Sequence, residues 1–334
     1  MQGIHPKTRI HHIYTDETIK PVRQPQRRMN PMMKEIVKEE LQKLLQVGFI
    51  YPISDSQWVS PLVVVPKKNG KCRICLDYRE LNKATLKDHF PLPFIDQVID
   101  SLAGKKFFSF LDGFSGYNQI KIELEYRDET TFTCPWGTYS YNVLPFGLCN
   151  APTTFQREVL TIFANLIHEC VEVYMDDFSR STFDDCLDNL EKVIKIYMET
   201  NLSLRNQKCF MMLTEGIVLG HHIYSSGIKV DPTKIKVIVN LMPPKTGIEV
   251  RSFLGYAGYY RRFIEKFNKI ALPLFKLLAK DIEFQWTTHC QNAFEKLKEK
   301  LSIAPILRGP NWPFPFQIST DASNTSIGES LGQK

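Results

Sequence analysis

Two adjacent aspartates, Asp176 and Asp177, interrupt the apolar run VEVYMDDFS. The run is typical of a buried β-strand, and an acidic pair suits a hairpin turn, because an Asp side chain bonds its own backbone. A second interpretation is a site for a hard cation such as Mg²⁺, which takes carboxylate oxygens as ligands. Two close carboxylates raise each other's pKa, and a bound dication removes that conflict. Deciding between the two requires a third acid elsewhere in the chain.

Asp112 is the candidate for that third acid. It ends the run FFSFLD, which predicts a strand buried on both faces, where a charge is costly unless it is paired or metal-bound. A strand-end turn before Gly113 is the simpler alternative. If the strands that carry Asp112 and Asp176 share one sheet, their carboxylates can hold two Mg²⁺ ions roughly 3.5–4 Å apart. Together, the two acid sites favour phosphoryl transfer.

Residues near these acids suit a nucleotide. Lys67 and Arg73 lie around a predicted hairpin and could grip phosphates, Arg through its planar fork. Tyr117 follows Asp112 closely enough to place its ring beside a sugar, although a core aromatic is a serious rival. The glycine after Phe146 would let the backbone approach a base.

Composition sets wide bounds on function. The chain has 334 residues, enough for two or three domains, with 43% hydrophobic and 23% charged residues. Its net charge of +6 is compatible with a polyanionic partner but is weak evidence for one. The basic first 28 residues predict a solvated arm, with phosphate contact as the lesser alternative.

The cysteines and the apolar runs exclude several classes. Cys72 and Cys75 have C-x-x-C spacing, but no second pair completes a zinc site, so buried free thiols are favoured. No disulfide scaffold is evident, which indicates a reducing compartment. The sequence has no apolar signal core and no run of transmembrane length.

Local signals predict the elements that would position these residues. Asn30 and Pro31 predict a helix start, and Asn-Gly in KKNGK predicts a hairpin. Capping boxes predict two C-terminal helices. Further predicted elements are strands at 138–148 and 216–224, a helix at 150–163 whose Gln156 and Arg157 could touch a template strand, a helix at 184–198, and caps at Thr246 with Glu249 and at Thr288 with Gln291.

Seven segments carry a resemblance to a known family: WVSPLVVVPKKNGKCRICLDYRELNKAT, FSFLDGFSGYNQI, TTFTCPWGTYSYNVLPFGLCNAPTTFQ, VEVYMDDF, GIVLGHHIYSSGIKVDPTKI, VRSFLGYAGYYRRFI and DASNTSIG. As an ordered set they resemble the reverse transcriptase region of the Pol polyprotein of a plant gypsy-class long-terminal-repeat retrotransposon. The resemblance covers nearly the whole chain. It implies an α+β right-hand polymerase with fingers, palm and thumb, followed by a truncated ribonuclease H-like start.

That resemblance implies domain boundaries and an activity. The expected domains are a basic extended arm (1–28), fingers and palm (29–240), a helical thumb and connection (241–303), a linker (304–314) and the first strand of an incomplete ribonuclease H-like domain (315–334). The expected activity is RNA-directed DNA polymerisation with two Mg²⁺ ions, or Mn²⁺ in their place. Expected partners are an RNA template, a DNA primer or priming tRNA, dNTPs, and the protease, integrase and remaining ribonuclease H of Pol. No membrane is expected, and the location is cytoplasmic, in a virus-like particle, or nuclear.

The resemblance also implies a role for each site residue. Asp112 and Asp176 are the expected principal Mg²⁺ ligands, with Asp177 supporting. The other expected roles are the triphosphate contacts Lys67 and Arg73, the steric gate Tyr117, the sugar-side Phe146, Lys208 as proton donor to pyrophosphate, Gln156 and Arg157 at the template, the primer grip Leu219 and Gly220, and the duplex contacts Tyr259, Tyr260, Arg261 and Arg262. Asp321 corresponds to the first of four ribonuclease H carboxylates, and no ribonuclease H activity is expected.

Three positions depart from the family pattern. Position 72 is Cys where Trp is usual, Glu329 stands where a small apolar residue is usual, and FSRSTF after Asp177 is more polar and about two residues shorter. These departures leave an alternative function open, a catalytically inactive nucleic-acid-binding relic of a retrotransposon. A chain that never folds is a further alternative.

Overall fold

The computed structural model describes residues 3–4, 10–66, 72–167, 171–172, 177–180, 183–280, 282–309, 314–322 and 327–333, with the backbone alone described at 66, 72–73, 171–172, 177–180, 321, 327–328 and 330. The chain divides into two compact units. The first unit comprises Met1–Pro93, Ser109–Phe178 and Leu187–Met211, and the second comprises Phe94–Phe108, Ser179–Cys186 and Met212–Lys334. Each unit is built from three separate segments of the sequence, whereas each domain predicted from the sequence is a single continuous segment.

Runs of strands and runs of helices follow one another through the described residues, as expected for an α+β chain. The helices are α1 (Pro31–Gln46), α2 (Arg79–Ala84), α3 (Ile95–Leu102), α4 (Ala151–Ile162), α5 (Phe183–Glu199), α6 (Pro232–Val239), α7 (Gly247–Tyr259), α8 (Phe267–Lys276) and α9 (Thr288–Ser302). The strands are β1 (Ile10–His11), β2 (Ile50–Pro52), β3 (Ser60–Pro66), β4 (Cys72–Leu76), β5 (Phe107–Phe110), β6 (Lys121–Ile122), β7 (Phe132–Cys134), β8 (Gly137–Tyr141), β9 (Val171–Glu172), β10 (Asp177–Arg180), β11 (Phe210–Leu213), β12 (Glu215–Val218), β13 (His221–Tyr224), β14 (Gly227–Val230), β15 (Gln317–Ala322) and β16 (Ile327–Gly332).

A five-stranded sheet in the order β2-β8-β7-β3-β4 supports one side of the first unit. Helix α1 buries Val37 and Leu41 in the core cluster that this sheet contributes to. The helix begins where the sequence predicts, because the Asn30 side chain accepts a hydrogen bond from the Met33 amide at 2.8 Å. Strands β3 and β4 pair antiparallel, as the Asn-Gly signal predicts, and the linking residues 67–71 lie outside the described residues.

A four-stranded sheet in the order β11-β5-β10-β9 brings together the strands that carry the acids. Strand β5 buries Phe108 and Ser109, which point to opposite faces, so both faces are covered as predicted. It ends at Phe110, two residues before Asp112. The reason is that the backbone from Asp112 onward bonds the 203–205 segment, with the Arg205 amide donating to the Asp112 carbonyl at 2.8 Å.

The described part of the N-terminal arm contains no helix, and it is anchored to the rest of the first unit. Strand β1 pairs parallel with β6, and Ile13 is buried. His11 is also buried, and its Nδ1 lies 2.8 Å from the Thr154 hydroxyl on α4. The arm therefore belongs to the first unit because its few apolar residues find buried sites there, which its basic composition conceals.

We expect His11 to make the first unit acid-sensitive. Burial, together with His12, lowers the pKa of His11 to about 4 although Asp88 opposes this. The unfolded chain takes up this proton near pH 6.5. The stability that His11 contributes is therefore complete above that pH, is lost as the pH falls towards 4, and amounts to about 2 kcal/mol between pH 7 and pH 5.

Urea unfolding of the wild type and of His11→Gln at both pH values measures this difference. The glutamine side chain keeps a hydrogen-bonding group near Thr154 but does not titrate. The wild type should lose about 2 kcal/mol more than the variant between pH 7 and pH 5. Equal losses would show that His11 does not resist protonation in the folded chain.

The second unit combines a three-stranded sheet, β12-β13-β14, with a helical core. Phe253 of α7 and Phe294 of α9 lie in one buried cluster, with ring centroids 4.5 Å apart. Thr246 caps α7 as predicted, accepting from the Glu249 amide at 3.3 Å.

The predicted cap of α9 is wrong by one residue. Thr287, not Thr288, accepts from the Cys290 amide. The amide side chain of Gln291, which the predicted box pairs with Thr288, instead accepts from the Trp286 indole at 2.8 Å.

The C-terminal residues form a hairpin of β15 and β16 in which Asp321 lies opposite Gly328. The sequence predicts only the first of these strands. Among the described helices, none is both long enough and apolar enough to cross a membrane.

Candidate active site

Asp112 lies two residues after the end of β5, and backbone hydrogen bonds hold it in place. Besides the Arg205 bond to its carbonyl, Gly113 forms a bridge with Leu204, and the Phe114 amide donates to the Ser203 carbonyl at 2.8 Å. Gln119 reinforces this junction, because its side-chain amide donates to the Ser203 carbonyl and accepts from the Ser203 amide. The carboxylate thus projects from a fixed point of the backbone while its side chain stays 42% exposed.

Lys208 is the cation beside this carboxylate. Its Nζ lies 3.5 Å from Asp112 Oδ2, and both side chains are largely exposed. An ion pair with this exposure contributes little to stability, because solvent screens it. Asp112 is therefore accessible to a cation that binds more strongly than an exposed ammonium group.

The position of Asp177 in the sheet is set by the strands beside β5. β10 begins at Asp177, which lies opposite Glu172 of β9, and β10 is adjacent to β5 in the sheet. Asp176 and the side chain of Asp177 lie outside the described residues. Strand order thus puts the end of β5 and the start of β10 in one sheet, as the sequence argument requires, while the distances between the three carboxylates remain a prediction.

The donor set suits a magnesium site. Among the residues whose side chains are described, no three Asp, Glu, His or Cys side chains form a metal-binding group. Asp176 and the side chain of Asp177 are not among these residues. Asp112 contributes an accessible oxygen ligand, and three carboxylates would match the preference of Mg²⁺ for hard oxygen donors.

Tyr117, which follows Asp112 by five residues in the sequence, lies in an aromatic cluster. Its ring centroid is 4.7 Å from that of Phe146 and 5.5 Å from that of Phe155. A Cβ on Gly116 would lie 3.0 Å from the Phe155 ring, so only glycine allows this close approach. Ser115 takes the left-handed conformation, with φ of 50°, which is costly for a residue other than glycine and is found at functional sites.

The Phe146 loop is held by residues that sequence reasoning missed. Phe146 is 64% exposed, and the backbone that follows it is fixed by Asn82 of α2. The Asn82 amide donates to the Gly147 carbonyl, and its oxygen accepts from the Cys149 amide, both at 2.8 Å. The sequence indicates this role only weakly, through an asparagine in RELNKAT whose side-chain hydrogen-bond partners lie far away in the sequence.

The hairpin expected to hold the triphosphate is anchored at its base by Asp77. Lys67 and the Arg73 side chain lie outside the described residues. Asp77 follows β4 and accepts from Arg79 Nε and Nη2, both at 2.7 Å, and from Arg27 Nη2 at 2.5 Å. The Arg79 guanidinium, aided by Arg27, holds the pKa of Asp77 below its usual range.

The two residues of α4 expected at the template, Gln156 and Arg157, are buried or hydrogen-bonded within the first unit. Gln156 is buried. Arg157 donates to Asp88 Oδ1 at 2.7 Å, and its guanidinium lies 4.6 Å from the centre of the Phe90 ring. A partner 69 positions away in sequence thus holds Arg157, and contact of either residue with a template strand stays a prediction.

In the second unit, the expected primer grip is a two-residue turn between β12 and β13. Leu219 and Gly220 both have positive φ, 46° and 71°, as a type I′ turn requires. The Tyr259 hydroxyl donates to the Leu219 carbonyl at 2.5 Å, and the Tyr260 hydroxyl donates to the Gly220 carbonyl at 2.7 Å. The two tyrosine hydroxyls, expected at the duplex backbone, thus fix this turn.

The two thumb arginines differ in what they contact. Arg262 donates to Asp96 at 3.3 Å and to Asp100 at 2.5 Å, both on α3. Arg261 is exposed, and within the described part of the chain no carboxylate pairs with it. Arg261 is therefore the one of the two that is presented to solvent.

Sequence profiles match both parts of the chain. The profile described as reverse transcriptase (RNA-dependent DNA polymerase) matches residues 65–256, and that of an RNase H-like domain found in reverse transcriptase matches residues 286–334. The match to the second profile begins before the boundary at 315 that the sequence argument assigns.

Known Pol polyproteins are similar along most of the chain. The retrovirus-related Pol polyprotein from transposon 412 of Drosophila melanogaster is 38% identical over 307 residues, which is 90% of this chain and 25% of that protein. The Pol polyprotein from transposon gypsy of the same organism is 34% identical over 323 residues, which is 90% of this chain and 31% of that protein. The chain thus spans between a quarter and a third of the length of these relatives.

Solved structures confirm the right-hand polymerase fold. The foamy viral protease-reverse transcriptase in complex with dsDNA superposes with a TM-score of 0.86 and 28% identity, covering 100% of this chain and 71% of that one. The same protein in complex with an RNA/DNA hybrid gives a TM-score of 0.84 and 25% identity, covering 99% and 47%. The chain belongs to the reverse transcriptase (RNA-dependent DNA polymerase) family.

Proposed function

We propose that this chain extends a primer on an RNA or DNA template by transferring nucleotidyl groups from dNTPs. The observation that carries the proposal is the adjacency of β5, which leads to Asp112, and β10, which begins at Asp177. Family membership supports the same activity. The solved complexes of the foamy viral enzyme contain dsDNA or an RNA/DNA hybrid, which supports nucleic acid as the partner.

Asp112, Asp176 and Asp177 would hold two Mg²⁺ ions, or Mn²⁺ in their place. When bound, these ions lower the pKa of the primer 3′-hydroxyl and neutralise charge on the leaving pyrophosphate. The role of the protein is mainly positioning and electrostatics. Lys208 would donate a proton to the pyrophosphate, and its position 3.5 Å from Asp112 Oδ2 supports this role.

The remaining roles concern the nucleotide and the strands. Lys67 and Arg73 would hold the triphosphate at the β3–β4 hairpin, whose base Asp77 fixes. The rings of Tyr117 and Phe146 would flank the sugar and base. The turn at Leu219 and Gly220 would hold the primer, and Arg261 would contact a backbone phosphate, which carries no sequence information but makes binding depend on salt.

The wider assignment is also a proposal. We infer that the chain derives from a gypsy-class retrotransposon of a plant, and that it works with a protease, an integrase and a complete ribonuclease H in a cytoplasmic particle or in the nucleus. The similarity to Pol polyproteins supports the retrotransposon origin. Asp321 in β15 would then belong to the ribonuclease H-like part.

Primer extension tests the proposed activity. We expect the purified chain with Mg²⁺ to extend a DNA primer on an RNA template, and Asp176→Asn to fail while its circular dichroism spectrum and its melting curve match those of the wild type. Equal extension by the two proteins would disprove the assignment of the doublet. Salt-sensitive binding to an RNA–DNA duplex without any incorporation would favour the inactive relic instead.

A further inference from the structure

Three aromatic rings lie together at the surface of the first unit, where the N-terminal arm meets the 3₁₀ turn Leu124–Thr130. They belong to His12, Tyr14 and Tyr126, here called the arm cluster, and the ring centroids of each pair are 5.5–5.7 Å apart. The side chain of Tyr14 is 55% exposed, and that of Leu124, two residues before Tyr126, is 68% exposed. The proposed function gives these rings no role.

The backbone of the arm holds two of the three rings outward. His11 and Ile13 are buried, and the alternation of an extended chain therefore turns His12 and Tyr14 towards solvent, where both are exposed. The Leu86 amide donates to the Tyr14 carbonyl at 2.8 Å and fixes the end of this stretch. Rings that are already held in place lose little conformational entropy when a partner binds.

The segment that carries Tyr126 is acidic. Its acids, within residues 123–129, are Glu123, Glu125, Asp128 and Glu129. Its one base, Arg127, is used internally, since Nε donates to the Ile122 carbonyl at 3.0 Å and Nη1 donates to Asn142 Oδ1 at 2.9 Å. Across the ranges that the structure describes, no basic side chain forms an ion pair with any of the four acids.

The carboxylates act on the arm cluster itself. Burial and Tyr14 raise the pKa of the Tyr126 hydroxyl, and three carboxylates raise it further, those of Glu125, Glu129 and Glu123. Glu129 Oε2 is buried and has no hydrogen-bond partner among the described residues, and burial raises the pKa of Glu129 to about 7. A buried carboxylate oxygen without a partner is costly, so a cation beside it would be stabilising.

An aromatic surface with an acidic rim suits a cation. The face of an aromatic ring is negative and attracts positive charge. An arginine guanidinium matches both features, because it stacks on rings and donates two parallel hydrogen bonds to a carboxylate. Within the described part of the chain, no cationic side chain of the protein itself lies over these three rings. The acids would repel the phosphates of a nucleic acid.

We propose that the arm cluster binds an arginine side chain presented by a basic segment of a partner protein. The rings contact the guanidinium, and the acids of residues 123–129 attract the rest of the segment. The inference does not depend on the polymerase assignment, because none of its residues belongs to the proposed active site. The rival occupants are a nucleic acid, whose bases can stack on rings, and a second copy of this chain.

Fluorescence anisotropy with a short labelled peptide of alternating arginine and glycine tests the proposal. The same peptide with citrulline in place of arginine keeps the planar shape and lacks the charge. The variant combines Tyr14→Leu, which keeps an apolar side chain, with Glu125→Gln. The matched control combines Trp136→Leu with Glu39→Gln, an exposed aromatic residue and an exposed acid elsewhere in the same unit. Both proteins are first checked for an unchanged melting curve.

We expect the wild type to bind the arginine peptide and not the citrulline peptide. The variant should bind the arginine peptide about tenfold more weakly, the combined scale of one exposed cation–π contact and one exposed ion pair. The control should bind it as the wild type does. Equal affinity of the wild type and the variant, an equal loss in the control, or equal binding of the citrulline peptide overturns the proposal.

Two further measurements on the variant separate the rival occupants. Its affinity for a single-stranded oligonucleotide and its sedimentation should match those of the wild type. If the oligonucleotide affinity falls, or the self-association changes, while peptide binding stays the same, the arm cluster belongs to a nucleic acid or to a second copy and the proposal is wrong. A wild type that binds the arginine peptide but extends no primer would refute the proposed function and leave this inference intact.

Discussion

Asp112→Asn is expected to lower the rate of dNTP incorporation by about 100- to 1,000-fold, the range seen when a group that stabilises transition-state charge is removed. Asparagine keeps the size of the side chain and one oxygen, but it loses the negative charge that a dication requires. The backbone bond from Arg205 to the carbonyl of residue 112 does not involve the side chain. The fold around position 112 should therefore survive the change.

The stability cost should be small as well. Among the described residues, the only ion pair of this carboxylate is the one with Lys208, which is too exposed to contribute much. Single-turnover primer extension across a Mg²⁺ titration measures the effect, and a melting curve checks the fold. Asp55→Asn is the matched control, because Asp55 is an exposed acid of the same unit that pairs with Arg23 far from the site.

We expect Asp55→Asn to extend primers at the wild-type rate at every Mg²⁺ concentration. An Asp112→Asn protein that melts normally and extends within tenfold of the wild type would remove Asp112 from the metal site. The adjacency of β5 and β10 would then not reflect a shared metal site. A residue other than Asp112 would have to complete the site with Asp176 and Asp177.

Features that short-range signals specify were predicted well. The α1 cap at Asn30, the β3–β4 pairing and the α7 cap at Thr246 each depend on residues within a few positions of one another. The α9 cap shows the limit of this approach. Thr287 and Thr288 are both suitable N-cap residues by type. The structure uses Thr287, and the Gln291 side chain accepts from the Trp286 indole.

What the sequence could not reveal is which charged side chains are already taken. Arg157 pairs with Asp88, 69 positions away, and Arg262 pairs with Asp96, 166 positions away. Composition and spacing make such arginines look available to phosphate. Only the fold shows that their charges are used internally, whereas Arg261 is presented to solvent.

The same limit applied to the N-terminal arm. Its basic residues predicted a solvated segment, but His11 bonds Thr154 across 143 positions, and Arg27 reaches Asp77 at the base of the β3–β4 hairpin. Long-range contacts of this kind have no sequence period. They are also the contacts that connect the arm to the elements around the candidate site.

The second large effect is expected at Tyr117, where replacement by alanine should lower discrimination against ribonucleotides by about 100-fold, the scale on which a shaped pocket rejects one added hydroxyl. The ring is held between Phe146 and Phe155, with Gly116 permitting the close approach of Phe155. A ring fixed in this way cannot move aside to admit a 2′-hydroxyl, which is the atom that separates the two substrate classes.

The measurement is the ratio of kcat/KM for a dNTP to that for the matching ribonucleotide. A ratio within one protein is insensitive to the loss of packing that alanine also causes, because partial unfolding lowers both values equally. Tyr117→Phe is the matched control, since it keeps the ring and removes only the hydroxyl, and its ratio should stay at the wild-type value. If Tyr117→Ala leaves the ratio unchanged, the ring does not contact the sugar, and the aromatic cluster is simply part of the core. If Tyr117→Phe lowers the ratio as much as alanine does, the hydroxyl rather than the bulk of the ring selects the substrate, and a hydrogen bond must replace steric exclusion as the mechanism.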